Sequence, residues 1–458
     1  MKLHLLRPRE LALALRELAR RRPRQAERYL EEHREQWGPL AEADPHDAAD
    51  ILEAIDEEQA ADLVATLDSE QAADVLEEMR NEVAADLLEE LPPERAAALI
   101  EALSADEAAD IIGHLESGTR RAVLEALDEE SAGEILDLLA YPPDSAGGLM
   151  TTEVATLPSG IAAGEAIEAL RRLHEHLEDL AYVYVVDDID RLIGVVSFRE
   201  LVFARPGAAL DEVMVPNPVA VRVDTDREEV ADLIRRYAFF ALPVVDRRGV
   251  LAGMVTVDDA MEAAQREATE DIAAMVGAGA EETIYTPFTR SIRSRLPWTG
   301  VNLATAFLVA LVVSRFESTI GEVAVLAAYM PVVASVGGNS GAQSQAVVIR
   351  AMAVDGVPRS LVGRVLARSM MIGLVNGVAI GALSGAIAAA FTRDPRIGLV
   401  IGIAALANLI VANLAGSAIP ILLERMGQDP ALASNIFMTM ITDMVGFGGF
   451  LAIAAALL

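Results

Sequence analysis

The sequence contains no cysteine, which excludes disulfide bonds, thiolate nucleophiles and cysteine-based metal sites. Its six histidines are scattered and show none of the ligand spacing that is typical of zinc sites. There is no glycine-rich phosphate loop and no nucleophile–base combination along the chain. These absences argue against an enzyme.

Basic residues are also scarce relative to acidic ones, with 37 Lys and Arg against 70 Asp and Glu and a formal charge of −33. The acidic excess lies mainly in residues 41–150, whereas residues 297–458 are nearly uncharged. An acidic soluble region repels the phosphates of nucleic acids, so no nucleic-acid partner is expected. Such a surface suits cation binding, although it serves solubility equally well.

Residues 1–41 differ from the rest because they carry basic runs such as Arg20-Arg21-Arg22. This stretch lacks the apolar segment and cleavage site of a secretory signal. We interpret it as a basic helical arm.

Residues 49–136 contain an internal repeat with a period of twelve residues. Each copy starts with Ala, continues with a residue that is usually Asp and ends with two aliphatic residues. Turn signals separate the copies. Short helices of this kind cannot bury their apolar faces alone, so they are expected to stack into a solenoid. The copies begin at Ala49, Ala61, Ala73, Ala85, Ala97 and Ala109.

Two related stretches, 181–201 and 241–261, predict a strand, a turn, a second strand and a helix. An amphipathic helix is predicted before each, at 163–173 and 227–237. The duplicated unit resembles the CBS domain, which forms paired sensor modules, through the motifs in 242–259. The resemblance implies two contacts to an adenine nucleotide such as ATP, from Thr256 and Asp259. The first copy has Ser197 and Glu200 at the matching positions.

A connecting helix is predicted over residues 258–276, and it is rich in acids. Glu267, Glu270 and Asp271 follow i, i+3, i+4 spacing and therefore share one face. Like charges at this spacing oppose each other, so a bound cation would stabilise the face. Three arginines then precede Trp298, as expected at the cytoplasmic side of a membrane.

Five apolar segments follow, and each is long enough to cross a bilayer. Arginines between the second and third segments place that connection inside, so the carboxyl terminus is predicted to be outside. Arg393 and Arg396, in an outer loop, are an exception to the positive-inside tendency. The glycine-rich stretch 331–344 predicts either tight helix packing or a helix break that lines a pore. The segments are 297–315, 323–350, 362–391, 397–423 and 432–458.

The last segment carries one charge, Asp443, about halfway along. An ionised carboxylate at the centre of a bilayer costs roughly 2.5–3.5 kcal/mol, so it usually faces a bundle interior or a water-filled path. Asn435, Thr439, Thr442 and Gly446 share one helical face, and Asp443 lies at its edge. We favour a cation site in a permeation path over an aspartate that is paired with arginine or protonated.

The order of these parts resembles the MgtE family of magnesium channels from about residue 42 onward. The membrane motifs in 331–344 and 434–446 make the match specific. The resemblance implies a homodimer in the bilayer with its pore between the two membrane domains. Asp443 would be the pore carboxylate, and Asn435 would lie near the cytoplasmic mouth.

The resemblance also implies that Mg²⁺ bound at acidic cytosolic interfaces holds the channel closed, and that repulsion among those acids opens it when Mg²⁺ is scarce. One departure is Ala238, where the family pattern has Asp. The matching metal-binding acids are Asp106, Asp110, Glu228, Asp259, Glu262, Glu267, Glu270 and Asp271.

The expected fold is a multidomain membrane protein with an α-helical solenoid, an α/β tandem CBS pair, a connecting helix and a five-helix transmembrane domain. Its cofactor would be Mg²⁺, both transported and regulatory, with ATP at the CBS pair as a further option. Two alternatives stay open: a channel for Mn²⁺ or Co²⁺, since carboxylates alone do not set selectivity, and a non-conducting membrane sensor. The expected domains are the arm (1–41), the solenoid (42–140), the first CBS copy (141–206), the second (207–259), the connecting helix (260–289) and the pore domain (290–458).

Overall fold

The computed structural model describes residues 6–173, 181–275, 286, 288–355, 357–431 and 434–458. The chain forms two compact units, Met1–Ala264 and Gln265–Leu458. The helix Val257–Met275 is divided between them.

The amino-terminal unit begins with short helices whose lengths follow the twelve-residue repeat. Within the repeat, each helix packs against the second helix after it, which is the stacking that the repeat predicts. The small and aliphatic residues of each copy are buried, as Ala60, Ala61, Leu63 and Val64 show. The helices are α1 (Pro8–Arg21), α2 (Pro23–Glu32), α3 (Trp37–Ala43), α4 (Pro45–Leu52), α5 (Glu57–Val64), α6 (Ser69–Glu77), α7 (Asn81–Glu89), α8 (Pro93–Ile100), α9 (Ala105–His114), α10 (Ser117–Ala126) and α11 (Glu129–Leu138).

Several acids of the solenoid have a structural role that the sequence did not indicate. Glu53 Oε1 accepts a hydrogen bond from the Arg80 backbone N–H at 2.8 Å, and Glu101 Oε1 accepts one from Asp128 N–H at 3.1 Å. Arg80 and Asp128 are the N-cap residues of α7 and α11. These glutamates therefore satisfy the backbone at the starts of neighbouring helices.

The basic arm packs onto the first repeats. Arg16 Nη1 lies 2.6 Å from Asp47 Oδ1, and Arg20 Nη2 lies 3.0 Å from Asp50 Oδ1. Trp37, fully buried, donates its indole N–H to the Leu63 carbonyl at 3.1 Å. The arm therefore covers the end of the solenoid and neutralises part of its charge, as terminal capping repeats do.

Replacing Arg16 with Met is expected to destabilise the amino-terminal unit by about 1–3 kcal/mol, because Asp47 would remain buried without its charge partner. The Asp47 side chain is only 8% exposed. Arg21→Met is the matched control, since that arginine is 77% exposed and its removal should cost under about 0.5 kcal/mol. Urea unfolding of the full-length protein measures both, and equal losses would contradict the burial argument.

Two small sheets follow the solenoid, and they confirm the predicted duplication. In the first, β1 is parallel to β2, and β3 is antiparallel to both β2 and β4. In the second, β5 is parallel to β6, which is antiparallel to β7. The elements are α12 (Ala146–Leu149), β1 (Thr156–Pro158), α13 (Ala163–Leu173), β2 (Tyr182–Val186), β3 (Leu192–Ser197), α14 (Phe198–Phe203), α15 (Leu210–Val213), β4 (Val215–Pro216), β5 (Val221–Arg222), α16 (Arg227–Tyr237), β6 (Ala241–Val245), β7 (Leu251–Thr256) and α17 (Val257–Met275).

The hairpins of the two copies contact each other reciprocally. Leu192 N–H donates to the Gly249 carbonyl at 3.1 Å, and Leu251 N–H donates to the Asp190 carbonyl at 3.0 Å. Each copy therefore donates the equivalent hydrogen bond to the other, as the two halves of a pseudo-twofold pair do. The prediction of a paired module is confirmed.

The second unit is built from long apolar helices. Among the described residues, four are long and apolar enough to cross a membrane: Phe288–Ser314, Val362–Thr392, Pro395–Arg425 and Ser434–Leu457. The other predicted span is a 30-residue helix that falls outside this group, and it contains the glycine-rich stretch. The elements are α18 (Phe288–Ser314), α19 (Glu317–Glu322), α20 (Leu326–Asp355), α21 (Val362–Thr392), α22 (Pro395–Arg425), α23 (Ser434–Asp443), a π-helix (Met444–Gly449) and α24 (Phe450–Leu457).

Helix α22 is central to this unit. It packs against α20, α21, α23, the π-helix and α24. Its buried face includes two asparagines, Asn408 and Asn413, which is unusual for an apolar span. The neighbours of α22 therefore supply both apolar and polar contacts.

Candidate functional site

Asp443 is the last residue of α23, and the chain continues directly into the π-helix. Its side chain is half-buried. Asn435 and Thr439, which precede it by eight and four residues on the same face, are also half-buried. Isolated π-helical turns occur frequently at functional sites. The sequence analysis missed this turn, although the glycines of 446–449 were a visible signal.

Two members of the predicted polar face have a packing role instead. Thr442 is fully buried and donates its hydroxyl to the Thr439 carbonyl at 3.0 Å. A Cβ on Gly446 would lie 2.9 Å from both Ala334 Cα and Asn408 Nδ2, so only glycine fits there. The half-exposed polar line is therefore Asn435, Thr439 and Asp443, whereas Thr442 and Gly446 of the predicted polar face are buried.

Helix α20 is continuous through the glycine-rich stretch, so the predicted helix break with exposed carbonyls is wrong. Its glycines serve close packing: a Cβ on Gly337 would meet Asn408 Nδ2 at 2.1 Å. Ser335, Asn339 and Gln343 nevertheless lie exposed at i, i+4, i+8 spacing on one face of this helix. A polar face of this kind is costly against lipid and fits a water-filled path or a protein contact.

Buried hydrogen bonds hold α20 and α22 together. Asn413 Nδ2 donates to Ser340 Oγ at 2.8 Å, and Ser344 Oγ donates to Asn413 Oδ1 at 2.7 Å. Asn408 Nδ2 donates to the Val333 carbonyl at 2.9 Å. These contacts fix the rotation of α20 about its axis, and they therefore determine which side chains form its exposed polar face.

In the amino-terminal unit, the structure brings acids of the solenoid and of the second CBS copy together. Asp259, which is half-buried, has its pKa raised to about 7 by burial and then by repulsion from Asp258, Asp106 and Asp110. Burial also raises the pKa of Asp106, and Asp258 adds to this. One oxygen of Asp106, Oδ1, is buried with no hydrogen-bond partner. We call Asp106, Asp110, Asp258 and Asp259 the acidic cluster.

The acidic cluster is not a preformed metal cage. Among the described residues, no three His, Asp or Glu side chains are placed so that they could hold one metal ion together. Mg²⁺ is commonly bound through only one or two carboxylates and several waters, so the donor set still fits a hydrated ion. Binding of a cation would reduce the repulsion among these partly exposed carboxylates.

A second pair of acids, which the sequence analysis missed, lies beside the cluster. Burial and the neighbouring Glu77 raise the pKa of Glu107 to about 9. Ser104 Oγ donates to Glu107 Oε2 at 3.1 Å. The pair of Glu107 and Glu77 therefore releases its protons at higher pH than two free carboxyls would.

The predicted nucleotide contacts have a local role as well. Thr256 Oγ1 donates to Asp259 Oδ2 at 2.5 Å at the start of α17. In the first copy, Ser197 and Glu200 form a capping box at the start of α14. Both hydroxyl–carboxylate pairs thus suit helix N-termini, whatever else they bind.

The other predicted metal-binding acids lie on α16 and α17. Glu228 is exposed in the first turn of α16, and Glu262 is exposed on α17. Glu267 and Glu270 lie on the part of α17 that belongs to the second unit, and the Asp271 side chain lies outside the described residues. Ala238 ends α16 in the left-handed region at φ 54°, a conformation that Asp adopts with less strain than Ala.

Without divalent cations, the amino-terminal unit is expected to lose stability as pH rises. The folded state keeps protons on Asp259 up to about pH 7, whereas an unfolded Asp releases its proton near pH 4. The unfolding free energy therefore falls across this window, and Glu107 extends the fall toward pH 9. Thermal unfolding in a chelator between pH 5 and pH 8.5 measures the slope.

Asp259→Asn should flatten that slope, because the titrating group is removed. Asp224→Asn is the control, since Arg222 lowers the pKa of that exposed carboxyl and moves its titration below the window. An unchanged slope in Asp259→Asn, or stability that rises with pH, would contradict the assignment.

Comparison with known proteins identifies the family. Family models match the MgtE divalent cation transporter at residues 330–453, the MgtE intracellular N domain at 43–144 and the CBS domain at 146–207 and 210–266. The magnesium transporter MgtE of Thermus thermophilus is 37% identical over 338 residues, which are 73% of this chain and 74% of that protein. The chain belongs to the MgtE family. It is therefore a multi-pass membrane transporter and not an enzyme.

A second curated MgtE protein gives the same result. The magnesium transporter MgtE of Enterococcus faecalis is 35% identical over 69% of each chain. A solved structure of the cytosolic domain of the Mg²⁺ channel MgtE in complex with ATP is 37% identical, covers 49% of this chain and 93% of that chain, and has a TM-score of 0.47. The fold class expected from the sequence is confirmed by the family models and by the helices and sheets described above.

Proposed function

We propose that this MgtE protein is a Mg²⁺-selective channel-type transporter that carries Mg²⁺ into the cytoplasm. The observation that carries the proposal is Asp443, half-buried within an apolar membrane span and followed at once by a π-helix. A carboxylate is retained at such a depth at a free-energy cost, so it indicates an ion path. The related MgtE proteins of Thermus thermophilus and Enterococcus faecalis are named magnesium transporters.

The polar surroundings of Asp443 suit Mg²⁺ that keeps its water. Thr439 and Asn435 continue the polar line toward the start of α23, where Asn435 is proposed to lie near the cytoplasmic mouth. Mg²⁺ dehydrates reluctantly, and amide, hydroxyl and carboxylate oxygens can hydrogen-bond to its bound waters. A dry cage of protein ligands is not needed for this.

We propose that the chain acts as a homodimer, so that two copies of Asp443 face one ion. Exposed apolar side chains on the CBS pair support this, among them Phe203 at 83% exposure and Phe240 at 62%. Burying such side chains against a second copy would remove their apolar surface from water. The soluble domains would be cytoplasmic and the carboxyl terminus outside.

We propose that cytosolic Mg²⁺ closes the channel by binding at the acidic cluster and at the acids of α17 and α16. The support is the burial and repulsion of Asp106 and Asp259, which make their unbound, charged form unfavourable. The remaining proposed ligands are Asp110, Glu228, Glu262, Glu267, Glu270 and Asp271. ATP at Thr256 and Asp259 is proposed as a further ligand, and it would have to replace the hydrogen bond between them.

The test is Mg²⁺ uptake by proteoliposomes that contain a Mg²⁺-sensitive dye, compared with protein-free liposomes. Uptake only with protein, and weak competition by Mn²⁺ and Co²⁺, is the expected result. Stronger uptake of Mn²⁺ or Co²⁺ would favour a general divalent-cation channel. An absence of uptake by folded protein at low Mg²⁺ on both sides would favour a non-conducting membrane sensor.

A further inference from the structure

A groove of about 430 Å³ runs between α21 and α22. Its lining consists of Gly, Ala, Val, Leu, Ile and Pro residues, so it offers no polar side chain to a solute. The floor is formed where the two helices touch: a Cβ on Gly385 would lie 2.6 Å from the Gly398 carbonyl oxygen. The glycines therefore allow the close contact between the two helices, and the groove is the space that remains above this contact.

The groove has the length of one bilayer leaflet. It extends along α22 from Pro395 to Leu406, which is about 16 Å at 1.5 Å per residue. The hydrocarbon core of a bilayer is about 30 Å thick, so one leaflet occupies about half of that. Both helices are apolar enough to span the membrane.

Two cations lie at one end of the groove. Ala389 and Pro395 line that end, where Arg393 caps the end of α21 and Arg396 lies in the first turn of α22; both arginines are exposed. Neither arginine forms an ion pair with a carboxylate in the part of the chain that the structure describes; Asp394 instead accepts a hydrogen bond from the Arg396 backbone N–H at 2.8 Å. These are the two arginines that depart from the positive-inside tendency.

We propose that this groove holds an acyl chain of an anionic phospholipid whose phosphate is bound by Arg393 and Arg396. The apolar groove, its single-leaflet length and the cations at the polar end together match the two parts of such a lipid. An arginine pair can receive a phosphate through several N–H donors. The same match accounts for the position of these arginines on the outer side.

The test is native mass spectrometry of the full-length protein in detergent, titrated with phosphatidylglycerol or phosphatidylcholine of the same chain length. The wild type is expected to retain phosphatidylglycerol at least about fivefold better. Arg393→Gln with Arg396→Gln should remove that preference. Arg364→Gln, which replaces an exposed arginine in the first turn of α21, at the opposite end of the helix, should keep it. Equal retention of the two lipids by the wild type would overturn the proposal.

A second pair of variants tests the groove itself. Ala382→Leu with Ala386→Leu fills it from two exposed lining positions and should reduce retention of both lipids. Ala379→Leu with Ala390→Leu adds the same volume at exposed positions outside the lining and should leave retention unchanged. If the groove-filling variant keeps its lipid, or changes only the oligomeric state, the groove does not hold a lipid and the proposal fails.

Discussion

Replacing Asp443 with Asn is expected to reduce Mg²⁺ flux at least tenfold, which corresponds to about 1.4 kcal/mol or more in the transport barrier. Asn keeps the size of the side chain and removes its charge. If two copies of Asp443 face one ion, the substitution removes both negative charges from the ion site. Proteoliposome uptake at low Mg²⁺ on both sides measures the effect, because closure by cytosolic Mg²⁺ is then absent.

The matched control for Asp443→Asn is Glu424→Gln, which neutralises an exposed acid near the end of α22. It should transport like the wild type. Both variants must elute as the wild type does in size-exclusion chromatography, so that a loss of flux is not a loss of fold. Equal flux in Asp443→Asn and the wild type would keep a transporter but discard Asp443 as its central site.

Neutralising the acidic cluster is expected to shift the Mg²⁺ concentration that closes the channel upward, by roughly tenfold per lost ligand charge. Asp106→Asn removes a carboxylate with a buried, unpartnered oxygen, and Asp259→Asn removes its neighbour. Glu267→Gln and Asp271→Asn should act in the same direction. Flux measured against Mg²⁺ on the cytosolic side gives the closing concentration for each variant.

Removing these charges also removes their mutual repulsion, and this makes the experiment discriminating. If repulsion alone opened the channel, Asp106→Asn and Asp259→Asn would stay closed even without Mg²⁺. We expect both variants to open and to require more Mg²⁺ for closure. Asp187→Asn, which neutralises a half-buried acid on the first CBS copy whose pKa is lowered by the Arg191 backbone N–H, should not move the closing concentration.

Periodic patterns made most of the fold predictable. The twelve-residue repeat and the duplicated strand pairs depend on local hydrophobic order, and both appear at the expected positions. The cover formed by the basic arm was not predictable, because the contact between Arg16 and Asp47 joins residues far apart in the sequence. Cross-repeat caps such as Glu53 on Arg80 were missed for the same reason.

The candidate site was predictable in its chemistry and less so in its geometry. Asp443 stands out in any apolar span, but whether Thr442 and Gly446 face a path or a neighbouring helix depends on how α20 and α22 pack. Glycine and proline in 331–344 suggested a helix break, yet the helix stays intact because those glycines admit Asn408 and its neighbours at close range. Glu107 was missed because burial, not sequence, sets its protonation.

The central claim is that the face of Asn435, Thr439 and Asp443 borders an aqueous ion path. The chain has no cysteine, so Thr439→Cys introduces a single thiol while Asp443 stays in place. Phe437→Cys is the control, since this residue is exposed on a different side of the same helix. The measurement is the rate at which a water-soluble, cationic thiol reagent labels each variant in proteoliposomes. The account predicts rapid labelling at Thr439→Cys that Mg²⁺ slows, and slow, Mg²⁺-independent labelling at Phe437→Cys. Equal rates at the two positions, or no labelling at Thr439→Cys, would contradict it.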